Sequence, residues 1–231
     1  MTPEDAWALV AALAAEHRVA AWGATTLDRL RTDDFLLPTD TLSRLTHAVS
    51  LALPLLPAVL ATLTDRPNRL YEHHYRQTNF ALDRLGLALG RAIQDSGYAA
   101  LPIPASQIVD WENQRGHLSH KRVAVAAGVG WLGRNNLLVT PAHGAQIRLI
   151  TVLTDLPLPT SAPTRRDCGD CRACLEACPG HAIGETPMDF DHLACFARLK
   201  EFQRRRDVGQ YICGLCVRAC TGGRPTTNVE R

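Results

Sequence analysis

For its first 167 residues the chain has no cysteine, and then eight fall between Cys168 and Cys220. Disulfides spread over the molecule are thereby excluded, and the opening MTPEDAWALV lacks the basic and apolar regions of a secretory signal. No apolar run approaches the ~18 residues that a membrane span needs. Charge is equally sparing: 25 Lys and Arg stand against 23 Asp and Glu, a formal +2. Neither the segment from Ser161 onward nor the part before it is strongly basic, so no nucleic-acid surface is announced. Lysine is nearly missing, with only Lys121 and Lys200, which says more about genome composition than about function. What the sequence does have is a 46% hydrophobic content over 231 residues, enough for one good-sized domain plus a small module.

The cysteines carry the strongest signal. Cys168, Cys171, Cys174 and Cys178, followed by Pro179, read C-x2-C-x2-C-x3-C-P, the ferredoxin run whose fourth cysteine ligates the other cluster of a pair. Cys195, Cys213, Cys216 and Cys220 complete a second set, with a longer gap than a duplicated ferredoxin shows. Three closely spaced thiolates on a tight loop can cap three irons of one cubane, while the fourth points away toward its neighbour. The spacing therefore predicts two [4Fe-4S] clusters, one held by Cys168, Cys171, Cys174 and Cys220, the other by Cys178, Cys195, Cys213 and Cys216. Structural zinc also uses C-x2-C pairs, but the third cysteine and C-P fit a cubane better. Thiolates on iron belong to a reducing cytoplasm, the expected location. Arg204, Arg205 and Arg206 then read as a solvated helix face or as counter-charge to anionic clusters, ahead of an RNA patch.

Along the chain, Trp7, Val10, Ala11 and Ala14 recur at helical spacing from Pro3 to about His17, with Thr2 as N-cap and Pro at N1. Residues 18–25 and 47–55 are short apolar runs suited to buried strands, and 28–44 is polar and turn-rich. Tyr71, Tyr75, Thr78, Leu82, Leu85, Leu89 and Ile93 mark a long helix over about 68–96, with Gly97 placed to cap it. A strand follows over 98–104 and a helix over 119–127. Residues 136–140 and 146–154 read as two strands of a hairpin turned by Pro141-Ala142-His143-Gly144. Strands and helices alternate, so the expected fold is an α/β (α+β) N-terminal sandwich domain with one mixed sheet, over 1–160, followed by a C-terminal two-[4Fe-4S] ferredoxin-like module over 161–231.

Gly128-Val-Gly-Trp-Leu-Gly133 is a literal G-x-G-x-x-G, with Asp155 22 residues beyond. A dinucleotide site needs that motif between a strand and a helix, whereas here it follows a helix and leads into a strand. The glycines instead suit close backbone approach to a flat ligand, or a tight turn.

GVGWLGRNNLLV, then RLITVLTDLPL, then the double-cluster cysteine pattern together resemble the epoxyqueuosine reductase family and the related corrinoid-dependent reductive dehalogenases. The resemblance covers roughly residues 98–220 well and the first 97 in outline. It implies an N-terminal domain that holds cobalamin, with the clusters passing electrons one at a time to the cobalt. It also implies that Gly128, Gly130, Trp131, Gly133 and Asn135 line the corrinoid site. No D-x-H-x-x-G motif is present to give cobalt a histidine.

Two departures stand out. The reductases carry an aspartate in D-S-x-P-x-x-E-R at the strand end that corresponds to residues 98–104, where this chain has Ile103-Pro104-Ala105-Ser106 and then QIVDWENQRGHL. Asp110, Glu112, His117 and His120 are the substitutes in reach, with Asp110 and His120 put forward as proton donors. The full reductases also continue into a helical-repeat region, whereas this chain stops at Arg231, which counts against a tRNA substrate. The expectation is an iron-sulfur oxidoreductase with a small-molecule or unknown substrate, a redox partner protein as electron donor and no membrane. The alternative is a ferredoxin-type electron-transfer protein with no catalysis of its own.

Overall fold

The computed structural model describes residues 1–30 and 32–222. In chain order the elements are α1 (Pro3–Glu16), β1 (Ala21–Thr26), α2 (Thr39–Leu42), β2 (His47–Pro54), α3 (Pro57–Ala61), α4 (Arg69–Asp95), β3 (Ala100–Ile103), α5 (His120–Ala126), β4 (Trp131–Leu132), β5 (Leu138–Val139), β6 (Ile147–Thr154), α6 (Ala173–Glu176), α7 (His192–Arg204) and α8 (Leu215–Ala219). Helix α1 starts where the sequence says it must: Thr2 accepts from the Asp5 N–H, the Asp5 carboxylate answers at the Thr2 N–H, and Pro3 sits at N1. Gly97, at φ 88, follows the end of α4.

Two compact units emerge. The first gathers Met1–Leu53, Asn79–Val129 and Arg148–Thr164. The second gathers Pro54–Thr78, Gly130–Ile147 and the chain from Arg165 on.

The first unit is built on a four-stranded sheet in the order β1-β2-β6-β3. β1 pairs antiparallel with β2 from Ala21↔Ala52 to Thr26↔His47, and β3 pairs antiparallel with β6 from Ala100↔Thr154 to Ile103↔Thr151. Beside β2 and β6, the Thr46 N–H donates to the Thr154 carbonyl and the Leu55 N–H to the Gln146 carbonyl, which makes this pair antiparallel as well. The expected mixed sheet is therefore antiparallel throughout. The physical reason is that α4 crosses over between β2 and β3, two strands that run the same way, while β6 inserts between them in the opposite sense.

Both faces of this sheet are covered, which is why β2 is buried from Ala48 to Leu53 without alternation. On one face Ala6, Val10 and Ala14 of α1 and Leu82, Leu85, Leu89 and Ile93 of α4 pack with Val49, Leu51, Ile150 and Val152. On the other, Val123 of α5 and Leu118 join Ala48, Ile103 and Leu153. The alternation of β6 thus sends Ile150 and Val152 one way and Leu153 the other.

The expected hairpin between residues 136–140 and 146–154 does not form. β5 pairs with β4 (Trp131↔Val139, Leu132↔Leu138), whereas β6 joins the main sheet. The turn that closes β4 on β5 is the Gly-Arg-Asn-Asn of the glycine segment: the Gly133 N–H donates to the Leu137 carbonyl at 2.8 Å, and Asn136 takes φ 55. Asparagine tolerates that left-handed conformation better than most residues, which is what makes the turn possible.

Candidate functional site

The second unit brings the eight cysteines together in two groups. Cys168, Cys171, Cys174 and Cys220 line a cavity of about 480 Å3, and Cys178, Cys195, Cys213 and Cys216 line another of about 120 Å3. Local structure explains the split. Cys174 lies inside α6 and Cys178 just past its end, Cys195 is in the first turn of α7, and Cys213, Cys216 and Cys220 stand before, inside and at the end of α8. All eight are free thiols.

Segments far away in sequence set these positions. Both Glu72 carboxylate oxygens accept from the Gly209 N–H, at 2.9 and 3.0 Å, while Arg69 pairs with Glu72 at 3.0 Å. Tyr71 packs so close to Gly214, at φ 84, that a Cβ there would meet the Tyr71 ring. The start of α4 thereby fixes the approach to Cys213 and Cys216. Gln146 donates to the Arg218 carbonyl at 2.9 Å and ties down α8. Arg134 donates to the Cys171 carbonyl at 3.0 Å and the Gly169 carbonyl at 2.8 Å, clamping the loop that carries the first cysteines.

The thiols shape each other's ionisation. Burial, followed by the proximity of Cys220, Cys168 and Cys171, pushes Cys174 up to about 11. Burial also drives Cys213 up to about 12 and Cys216 well above its ordinary value, with Cys195 and Cys178 among the neighbours in each case. Cys216 feels Cys174 as well, which links the two groups. Backbone N–H groups work against burial: Ala145 and Gly222 at Cys220, Leu215 at Cys213, while the Ala182 N–H donates to the Cys178 sulfur at 3.4 Å. The raised thiols, Cys174, Cys195, Cys213, Cys216 and Cys220, become thiolates at neutral pH when a cationic centre stands among them. A tetrahedral zinc needs four sulfurs at ~2.3 Å from one point. Among the described residues, no three His, Cys, Asp or Glu side chains are drawn together in a way that could hold a single ion. A four-iron core, which takes one thiolate per iron, fits four sulfurs that line a cavity.

The glycines of the G-x-G-x-x-G segment lie close against other parts of the chain. A Cβ at Gly128 (φ 71) would collide with the Ala162 carbonyl oxygen, one at Gly130 with the Val139 carbonyl oxygen, and one at Gly133 would meet Val139 Cγ2 at 2.5 Å. These glycines let the chain pack against itself. Trp131 and Asn135 are buried, at 8% and 3% exposure, and both line the Cys168 cavity. Asp155, the acidic residue of the dinucleotide spacing, instead accepts from the Ala99 N–H at 2.7 Å.

Asp110 and His120 lie in the first unit. Asp110 is partly exposed and accepts from the Asn113 N–H at 3.0 Å and Nδ2 at 2.9 Å, bonds that hold its carboxyl below the usual range. His120, in the first turn of α5, bridges the middle of β6 and the residue after β3: Nδ1 lies 2.9 Å from Thr151 Oγ1 and Nε2 2.9 Å from the Pro104 carbonyl. A carbonyl can only accept, so Nε2 carries the proton and Nδ1 accepts from Thr151. Burial, with a contribution from Arg148 and against the Pro104 bond, lowers its pKa to about 4. Lys121 is half-buried and lowered to about 8, chiefly by that burial.

A histidine kept neutral in this way makes stability depend on pH. Between pH 6.5 and about 4 the unfolded chain takes up a proton here and the folded chain does not, so this contribution is full above pH 6.5 and lost as pH falls toward 4. At 1.36 kcal/mol per pKa unit the loss approaches about 3 kcal/mol. Urea titrations across that window will show a shallower decline for His120→Gln than for the parent. Equal slopes would assign the proton uptake to another group.

No family model matches the chain. Among curated proteins, the epoxyqueuosine reductase of Synechococcus sp. (strain CC9605) is 30% identical over 158 residues, which cover 64% of this chain and 45% of that protein. The chain thus spans less than half the length of this relative. Among solved structures, epoxyqueuosine reductase from Streptococcus thermophilus matches with a TM-score of 0.62 at 19% identity, over 93% of this chain and 65% of that one. An epoxyqueuosine reductase with an epoxyqueuosine-modified tRNA-Tyr stem loop matches at TM-score 0.60 and 23% identity, over 93% and 65%. A reductive dehalogenase whose structure suggests a mechanism for B12-dependent dehalogenation matches at 0.64 and 17%, over 76% of this chain and 25% of that one. Arriving independently of the cysteine geometry, these likenesses make the chain similar in sequence to epoxyqueuosine reductases, and in fold to them and to reductive dehalogenases.

Proposed function

We propose that the chain is an iron-sulfur reductase whose cysteines hold two [4Fe-4S] clusters, one in each four-cysteine cavity, and pass electrons from a redox partner protein to a cobalamin. The observation that carries this reading is the sorting of eight cysteines into two cavities of four. The neighbourhood of Cys174 and Cys216 supports electron passage between the two. Cobalamin, when bound, supplies a strongly nucleophilic or one-electron cobalt centre that no side chain can match. Its support is the likeness to a B12-dependent fold relative, not the glycines, whose Cβ directions are filled by the chain itself.

Neither of the two candidate proton donors stands ready at neutral pH: Asp110 stays ionised, and the neutral His120 commits its one N–H to the Pro104 carbonyl, so a donor role for His120 requires that bond to open. A small-molecule substrate fits the near-balanced charge. The likeness to a reductase bound to a tRNA stem loop is the rival, and binding of such a stem loop at low salt decides between them. The second reading, an electron carrier without catalysis, is favoured by one observation: both His120 ring nitrogens are already bonded within the fold.

Anaerobic purification followed by iron and sulfide analysis will give about eight of each per chain, as two cubanes require. About four irons, or zinc in their place, would overturn the two-cluster reading. Titration with cob(II)alamin will convert its spectrum to the base-off form. Absence of binding at micromolar concentration would leave the electron carrier.

A further inference from the structure

Three successive polar side chains of the glycine segment lack partners for buried nitrogens: Trp131 Nε1, Arg134 Nε and Asn135 Nδ2. An unmatched buried donor costs about 1–3 kcal/mol, so three within five residues call for an acceptor outside the protein's own atoms. Arg134 Nε has Glu185 at 3.9 Å, beyond a hydrogen bond, and its other nitrogens hold the cysteine loop. Trp131 and Asn135 have no such alternative use. The Asn135 amide is also oriented: Oδ1 accepts from the Leu137 N–H at 3.3 Å, which leaves the NH2 as the unmatched end.

Position supplies the missing acceptor. Trp131 lines the Cys168 cavity, whereas Asn135 lines both that cavity and the Cys178 cavity and so stands in the wall they share. We propose that Trp131 Nε1–H and Asn135 Nδ2–H donate to cluster sulfurs and set the potentials of the two clusters, Trp131 acting on one and Asn135 on both. An N–H···S bond stabilises the more negative, reduced cluster and so raises its potential. The inference rests on the reading of the cysteines as cluster ligands. It gives the G-x-G-W-x-G-R-N segment a task besides chain packing: the glycines let β4 and β5 close, with the Trp131 donor on β4 and the Asn135 donor in the turn that follows.

Potentiometric titration followed by electron paramagnetic resonance tests this on the cluster-loaded protein. Iron and sulfide analysis of the parent comes first, so a failure of the cluster reading shows up there and is not confused with a failure of the tuning. Trp131→Phe keeps the ring and loses the N–H; it will lower the potential of one cluster and leave the other unmoved. Asn135→Asp keeps the oxygen that accepts from Leu137 and replaces the donor by an acceptor; it will lower both. The expected size is about tenfold in the ratio of reduced to oxidised cluster at fixed poise, which is 59 mV for a one-electron couple. If Asn135→Asp fails to load iron, Trp131→Phe alone decides. Unchanged potentials in loaded Trp131→Phe would overturn the proposal, and equal shifts of both clusters would overturn the division of labour.

Discussion

Cys178→Ala will strip the cluster held with Cys195, Cys213 and Cys216 and spare the one held by Cys168, Cys171, Cys174 and Cys220. Sequence adjacency alone would suggest the reverse, because Cys178 closes a run of four cysteines spaced by two or three residues. Geometry sends it elsewhere. Helix α6 ends at Glu176, the Ala182 N–H meets the Cys178 sulfur, and Cys178 lines the cavity with the three later cysteines. Cys220→Ala, at the far end of the pattern, will do the opposite and disturb the Cys168 set. In each variant iron should fall from about eight toward about four per chain, and the surviving resonance should differ between the two. Identical surviving spectra would show that the crossing of ligands is wrong, and retention of all iron in Cys178→Ala would show that this residue is not a ligand. The readout is cluster loading, so the result stands whether or not a substrate is known.

Much of this arrangement is legible from the residues because the signals are local. A cysteine spacing, a capping box at Thr2 and a heptad-like stripe from Tyr71 to Ile93 each act within a few turns of chain, and α1 and α4 lie within two residues of their expected ends. What the sequence hides is long-range. Pro141 to Gly144 looks like a hairpin loop because its composition is that of a turn, but composition does not say which strands a turn will pair. The Asn-Asn turn that does close a hairpin lacks the Asn-Gly signature, and its Asn136 takes the left-handed conformation without a glycine. Likewise the cysteine unit borrows Glu72, Tyr71 and Gln146, residues whose local patterns speak only of a helix face or a strand end. Nor can a sequence reveal that the nitrogens of Trp131 and Asn135 go unmatched, since satisfaction of a donor is a property of the packed interior.

The mistaken hairpin turn leads to the other large effect. Thr140 and Gly144 form a small antiparallel bridge, each donating its N–H to the other's carbonyl at 2.9 Å, and Gly144 takes φ 57. A Cβ at Gly144 would drive into the Cys220 carbonyl oxygen and come within 2.6 Å of its carbon. The next residue, Ala145, directs its N–H toward the Cys220 sulfur and packs with Trp131 and Val139. This turn is therefore the clamp that seats Cys220 in the Cys168 cavity. Gly144→Ala adds a left-handed penalty of about 1–2 kcal/mol to an overpacking cost of similar size against backbone that cannot swing away, on the order of 3 kcal/mol together. Gly97→Ala is the matched control: its φ is 88, yet a Cβ there meets nothing within 4 Å, so only the left-handed penalty of about 1–2 kcal/mol applies. Urea unfolding of the two loaded variants will rank Gly144→Ala well below Gly97→Ala. Chelator challenge will remove iron from the Cys168 set first in Gly144→Ala alone. Equal stabilities, or iron lost first from the Cys178 set, would free Cys220 from dependence on the turn and move the clamp to α8 itself.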